Sequence, residues 1–182
     1  MLELMSAKFT EQQRKARGFT IVELIIVIIV IAILASLTLV VYSGIQDRAR
    51  SSVAQADLAN AKKKLTIYHA RNGSFPKTYQ QLIDANMHFS KSVYEVNRPG
   101  KGNMYYCYNN ATGTFAMGAR TTNSAYGIIV TSSSDVKTVS GNTVTADYTC
   151  SLIGLSSSSD PNAITWQGLE TGTANWRDWV QS

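Results

Sequence analysis

FTIVELIIVIIVIAILASLTLVVY, residues Phe19 to Tyr42, decides how the rest of this 182-residue chain is read. Its one charge is Glu23, and its other polar members are Thr20, Ser36 and Thr38. As a helix the stretch reaches about 36 Å, against ~30 Å of bilayer hydrocarbon. The many β-branched Ile and Val residues would suit a buried strand in water. The run is too long for one in a small domain, however, and lipid leaves a lone segment only the helix. Upstream stand Lys8, Arg14, Lys15 and Arg17, with Glu3 and Glu11 further off. The positive-inside rule therefore predicts Met1 to Gly18 in the cytoplasm and everything after Tyr42 outside. A secretory signal would have a shorter apolar core ending in a small-x-small cleavage site. A plain anchor accounts for the length and the flanks but gives no reason for a carboxylate five residues past Gly18. A charge so placed is a functional candidate by default.

This stretch also explains the composition. Hydrophobic residues are 45% and charged residues only 16% of the chain, low for one soluble domain, and Lys+Arg exceed Asp+Glu by 17 to 12. Four of those basic and two of those acidic residues precede Phe19, so the net +5 falls to 13 − 10 = +3 beyond Gly18. Much of the apparent basicity records topology. His69, His88, Cys107 and Cys150 lack finger spacing, which excludes a structural zinc, and no phosphate-cradling glycine loop is present. Asp135, Asp147 and Asp160 are too scattered for a calcium loop, so neither metal nor cofactor is expected. With no nucleophile or metal motif around either histidine, an enzyme is not expected.

KARGFTIVELIIVIIVIAILAS, Lys15 to Ser36, resembles the class III signal of type IV prepilins and pseudopilins: basic residues, a Gly, then Phe-Thr-x-x-Glu leading into the apolar helix. The resemblance implies cleavage between Gly18 and Phe19 by a prepilin peptidase and N-methylation of Phe19. It also implies retention of the helix and a role for Glu23 in assembly, where its carboxylate meets the Phe19 amino group of a neighbouring subunit and sets the register. The eighteen-residue leader is longer than is usual for pilins that begin with Phe. Phe19 to Ser43 holds neither Gly nor Pro, so a continuous helix is expected, with Gly44 the first breaker.

Beyond Gly44 the pattern becomes one-sided. Ala54, Leu58, Ala61, Leu65 and Tyr68 follow helical spacing, with Val53 and Ile67 nearby and Arg48, Arg50, Asp57 and Lys62 to Lys64 on other faces. One helix of about 50 residues is predicted from Phe19 to roughly Ala70, ended by Asn72-Gly73. Thr78 is placed to cap a short helix through Leu82 to about Ala85. An Asn-Gly-x-aromatic-Pro segment at Asn72 to Pro76 extends the resemblance to about residue 86. His88 to Gly102 reads as an irregular link. Met104 to Tyr108, Thr114 to Arg120, Gly127 to Thr131 and Val136 to Val139 read as strands of an antiparallel meander, with Val144 to Ile153 a candidate fifth. The meander is expected to bury one face on the amphipathic helix.

Cys107 and Cys150 lie on the translocated side, where disulfides persist, so a bridge is expected over two buried thiols. In pilins a disulfide near the C-terminus commonly ties the last region to the sheet, and this pair fits that role. Trp166, Trp176 and Trp179 in the tail read either as an element packed on the head or as an exposed aromatic platform. Lys62 to Lys64 with Arg48, Arg50 and Arg71 could contact DNA phosphates, but such a run is usually a solvated helix face.

The expected architecture is α+β, a long N-terminal helix packed on an antiparallel sheet. Its parts are a removed cytoplasmic leader (1–18), a transmembrane and filament-core helix (19–43), a pilin head (44–155) and a Ser/Trp-containing tail (156–182). The resemblance implies a structural subunit of a type IV pilus or a pilus-like filament. Alternatives are a pseudopilin of a type II secretion system, a DNA-uptake filament subunit and, outside the class, a membrane-anchored sugar-binding or enzymatic head. Implied partners are the prepilin peptidase, further copies of the chain, an inner-membrane platform with its assembly ATPase, and membrane lipid before assembly.

Overall fold

The computed structural model describes residues 18–94, 102–122, 126–169 and 175–181, with side chains described for all of these except 37–41. The architecture is α+β, a long N-terminal helix and a five-stranded antiparallel sheet. Helix α1 runs Ile21–Asn72, and the chain divides into two units, residues up to Val41 and residues from Tyr42 onward.

In the second unit α1 buries the predicted stripe. Ala54, Leu58, Ala61 and Leu65 are sealed from solvent, Tyr68 is partly buried, and Val53 and Ile67 remain exposed. Burying Leu58 and Leu65 contributes about 1.5–3 kcal/mol each. The helix stops at Asn72 because Gly73 takes φ +75° and donates to the His69 carbonyl at 2.8 Å. Phe75 then packs edge-on against Phe115, with ring centres 4.6 Å apart. The second helix, α2 (Tyr79–Asp84), begins with a capping box in which the Thr78 side chain accepts from the Gln81 amide and Gln81 reaches back to Thr78.

The link after α2 is anchored from two sides. Asp57 of α1 accepts from the Ser90 amide at 2.7 Å and from the Tyr94 hydroxyl at 2.9 Å. The C-terminal segment lies alongside in a bridge between His88 and Gln181, which brings Trp179 into the core. The rest of the expected irregular link, residues 95–101, lies outside the described residues.

Strands β1 (Met104–Asn109), β2 (Thr114–Arg120), β3 (Tyr126–Thr131) and β4 (Lys137–Ser140) form the expected meander. The fifth strand differs from expectation. Val144 to Ile153 is not a strand; its centre is helix α3 (Ala146–Ser151), whose N-cap Thr145 accepts from the Tyr148 amide at 3.1 Å. The Thr145 cap with Asp147 in the first turn outweighed the β-branched content there. The fifth strand is β5 (Ala163–Gln167), which pairs antiparallel with β1 and gives the order β4-β3-β2-β1-β5.

Both faces of the central strands are covered. Met104, Tyr106 and Tyr108 of β1 pack with the α1 stripe, whereas Tyr105 joins Val144 and Cys107 joins Cys150 on the α3 side. This is why β1 reads as an uninterrupted buried run and not as an alternating one. The Cys107–Cys150 disulfide fixes α3 to the middle of the sheet. Gly118 permits the close approach, since a Cβ there would meet Thr149 Oγ1 at 2.6 Å and Val144 Cγ1 at 2.9 Å.

Candidate assembly site

The site expected from the sequence is the start of α1. Gly18, Phe19 and Thr20 precede the helix, and Phe19 is 91% exposed. Thr20 is the effective N-cap. Its carbonyl accepts from the Leu24 amide at 3.2 Å, and its hydroxyl accepts from the Glu23 amide at 3.2 Å. Glu23 answers with Oε2, which accepts from the Thr20 amide at 2.7 Å and is 2.9 Å from the Thr20 hydroxyl. Thr20-Ile21-Val22-Glu23 is therefore a reciprocal capping box. The Glu23 carboxylate also sits at the positive end of the helix dipole, which favours its charge.

Thr20 is the residue that reading by charge alone passed over. The Thr-x-x-Glu spacing ahead of an apolar run was the available signal. Gly18, Phe19 and Thr20 thus lie directly before the first turn of α1, which holds Glu23. Cys107 and Cys150 are elsewhere, in the head, and bonded to each other.

From Ile21 to Leu34 the large side chains stand open on every side of the helix, from Ile21 at 78% to Ile25 at 45%. A helix apolar all round has no preferred core-facing stripe and needs an apolar surrounding on all sides. The described apolar side chains cover residues 21–36, about 24 Å of helix. Among the described residues no helix is long and apolar enough to cross a membrane. The expected span continues through Leu37, Thr38, Leu39, Val40 and Val41, whose side chains lie outside the described residues.

The remaining candidate chemistry does not converge. His69 lies 4.5 Å from the Phe75 ring, and His88 is exposed with Nδ1 3.2 Å from the Asn86 carbonyl. Among the described residues no group of three His, Cys, Asp or Glu side chains is arranged to hold a metal ion. Of the tail tryptophans, Trp179 is buried and donates from Nε1 to the Gln167 carbonyl at 3.0 Å, and Trp166 stands on β5 with its ring 5.3 Å from that of Tyr79.

The family model for the prokaryotic N-terminal methylation motif matches residues 13–39, which include Gly18, Phe19, Thr20 and Glu23. The chain is similar to the type II secretion system core protein G of Escherichia coli (strain K12), 35% identical over 68 residues, or 37% of this chain and 47% of that protein. It is 33% identical to core protein G of Dickeya chrysanthemi over 70 residues, 38% of this chain and 46% of that one. It is also similar to the type IV wide pilus major component PilA4 of Thermus thermophilus, 36% identical over 74 residues, 41% and 56% of the two chains. The chain spans about half the length of the curated relatives it matches. It carries the N-terminal methylation motif on a pilin-like α+β fold, and over some two-fifths of its length it is similar to type II secretion system core proteins G and to a type IV wide pilus major component.

Proposed function

We propose that the chain is a structural subunit of a type IV pilus or pilus-like filament, cut between Gly18 and Phe19, methylated at Phe19 and polymerised through its N-terminal helix. The observation that carries this reading is Glu23: a carboxylate held by its own Thr20 at the head of a helix that is apolar on every side. Cleavage before Phe19 creates a cationic amino terminus one residue from that capping box. The helix, anchored in the inner membrane before assembly, exchanges lipid for the helices of its neighbours. A neighbour's amino group meeting Glu23 then penalises any register that leaves either charge unpaired in an apolar surrounding. The prepilin peptidase, an inner-membrane platform and an assembly ATPase are the partners this process requires. The test is mass spectrometry of the mature N-terminus together with electron microscopy of sheared surface material. Methylated Phe19 in a filament is expected; an N-terminus retaining residues 1–18 in a functional protein overturns the reading.

A secretion pseudopilus is a second reading, supported by the 32–35% identity to several type II secretion core proteins. Loss of exoprotein release in a deletion strain that still displays surface pili distinguishes it.

A further inference from the structure

The head has two faces, on opposite sides of its sheet. On one side the outer surface of α1 presents Ile67, 48% exposed, where three grooves meet. Around it stand Lys63, Lys64, Arg71 and, from the link, Lys91. The neighbouring Lys62 is occupied, donating to the Ser134 carbonyl and pairing with Asp135 at 3.2 Å. Lys63, Lys64, Arg71 and Lys91 make no ion pair among the described residues. Nearby Asp57 is engaged by Ser90 and Tyr94, and Asp84 lies at the groove edge.

On the α3 side, the first turn of α3 and the loop that follows it project one carboxylate each, Asp147 and Asp160. Asp147 accepts from the amide and hydroxyl of Ser158 at 2.8 and 2.6 Å. Asp160 accepts from Ser156 and from the Asn162 amide at 2.9 Å. Neither has a cation partner among the described residues. The Ser158 bonds lower the pKa of Asp147, and the Asn162 and Ser156 amides lower that of Asp160, so both carry their charge through the neutral range. Lys137 shares this side at the far edge, on β4, where Val139 packs with Val144.

We propose that the Ile67-centred basic face of α1 docks the acidic patch formed by Asp147 of α3 and Asp160 of the following loop on a second copy of this chain. The inference rests on the filament reading and adds which head surfaces touch. Two different, oppositely charged patches on opposite sides of one sheet make a head-to-tail contact, and such a contact propagates without closing. Two like faces would end at a dimer. Ile67 is the apolar centre of the contact, and the lysines select the acidic partner.

The experiment uses wild-type filaments treated with a carbodiimide, which joins amines to carboxylates in contact. Lys62–Asp135 is the internal control, because both are in one chain and already paired. Links from Lys63, Lys64 or Lys91 to Asp147 or Asp160 report only contacts between chains, since the sheet separates the two faces within one. They are expected in filaments and absent from detergent-dispersed subunits, with the control link present in both. Intact filaments showing the control link and none of the others overturn the proposal. Filaments absent from the wild type refute instead the filament reading beneath it. In parallel, Lys64→Glu is expected to lower sheared filament about tenfold or more at unchanged subunit level, and Lys64→Glu with Asp160→Lys to restore most of it, since like charges opposed across an interface cost several kcal/mol. Unchanged filament yield in Lys64→Glu with loss of DNA retention assigns the face to nucleic acid and overturns the proposal.

Discussion

Replacing Cys107 and Cys150 together by alanine removes the covalent tie between the centre of the sheet and α3. The two cysteines are 43 residues apart in sequence, and both side chains are buried. In the chain-entropy model a loop of that length withholds about 13 cal/mol/K from the unfolded ensemble, or ~4 kcal/mol at 25 °C. The region between the cysteines carries β2, β3, β4 and the start of α3, so three of the five strands lie in the freed loop. For residues 42–182, which form a compact unit, a urea slope of about 2 kcal/mol/M converts that loss into a midpoint lower by ~2 M. The assay is urea unfolding followed by tryptophan fluorescence, with Trp179 a core reporter. Hydrogen exchange in parallel is expected to lose protection first in α3, whose hold on β1 would then rest on packing alone. A midpoint shift below about 0.5 M with an unchanged slope would refute the reasoning, because it would mean that the loop is already restricted in the unfolded state.

Gly118→Ala forces a methyl against Thr149 Oγ1 and Val144 Cγ1; a stability loss of about 1–3 kcal/mol is expected in the same urea assay, with Thr149→Ala partly restoring it. Burial, then Asp57, raises the Tyr94 phenol far above the ordinary tyrosine range, and burial also raises Tyr106. Their folded-state pKa values exceed the unfolded value of about 10, so their contribution is full below that pH and is lost as pH rises toward the folded values. An absorbance titration should therefore show these two phenols ionising only together with alkaline unfolding, and ionisation of all the tyrosines near pH 10 in a folded head would contradict it. Glu23→Gln is expected to leave Gly18/Phe19 processing intact while lowering filament yield, read by immunoblot of sheared and membrane fractions.

The head helix was legible because its apolar spacing, the Asn72-Gly73 stop and the Thr78 cap all agree locally. The meander was legible from β-branched and aromatic runs between turns. What the sequence hid depends on contacts between distant segments. Ala163–Gln167 is a short half-buried strand in a polar tail, and only its pairing with β1 makes it one. Arg120 gives no sign of burial in sequence, yet it is 1% exposed at the end of β2, donating through Nε to the Gly141 carbonyl at 2.6 Å. The link after α2 looks irregular because its partner, Gln181, lies at the other end of the chain. At the candidate assembly site the carboxylate stood out as a lone charge in an apolar run. Its local partner did not, because a threonine beside many aliphatic residues draws attention only when read three positions ahead of a glutamate.

That partner changes what Glu23 has to do. Were the carboxylate bare before assembly, its transfer into an apolar surrounding would demand a neighbour at once, and any cation would serve. Held by the Thr20 amide and hydroxyl through one oxygen, it is already satisfied in part, and the second oxygen is not used by the cap. In the proposed filament, a neighbour's amino group could therefore join the cap without displacing it, and pairing would require no unwinding of the first turn. The two roles separate by substitution: glutamine keeps a capping acceptor and removes the charge, alanine removes both, and valine at Thr20 removes the cap while leaving the charge. If charge sets the register, glutamine and alanine at position 23 fail alike and Thr20→Val assembles. If the helix start is what matters, glutamine assembles and Thr20→Val fails with alanine.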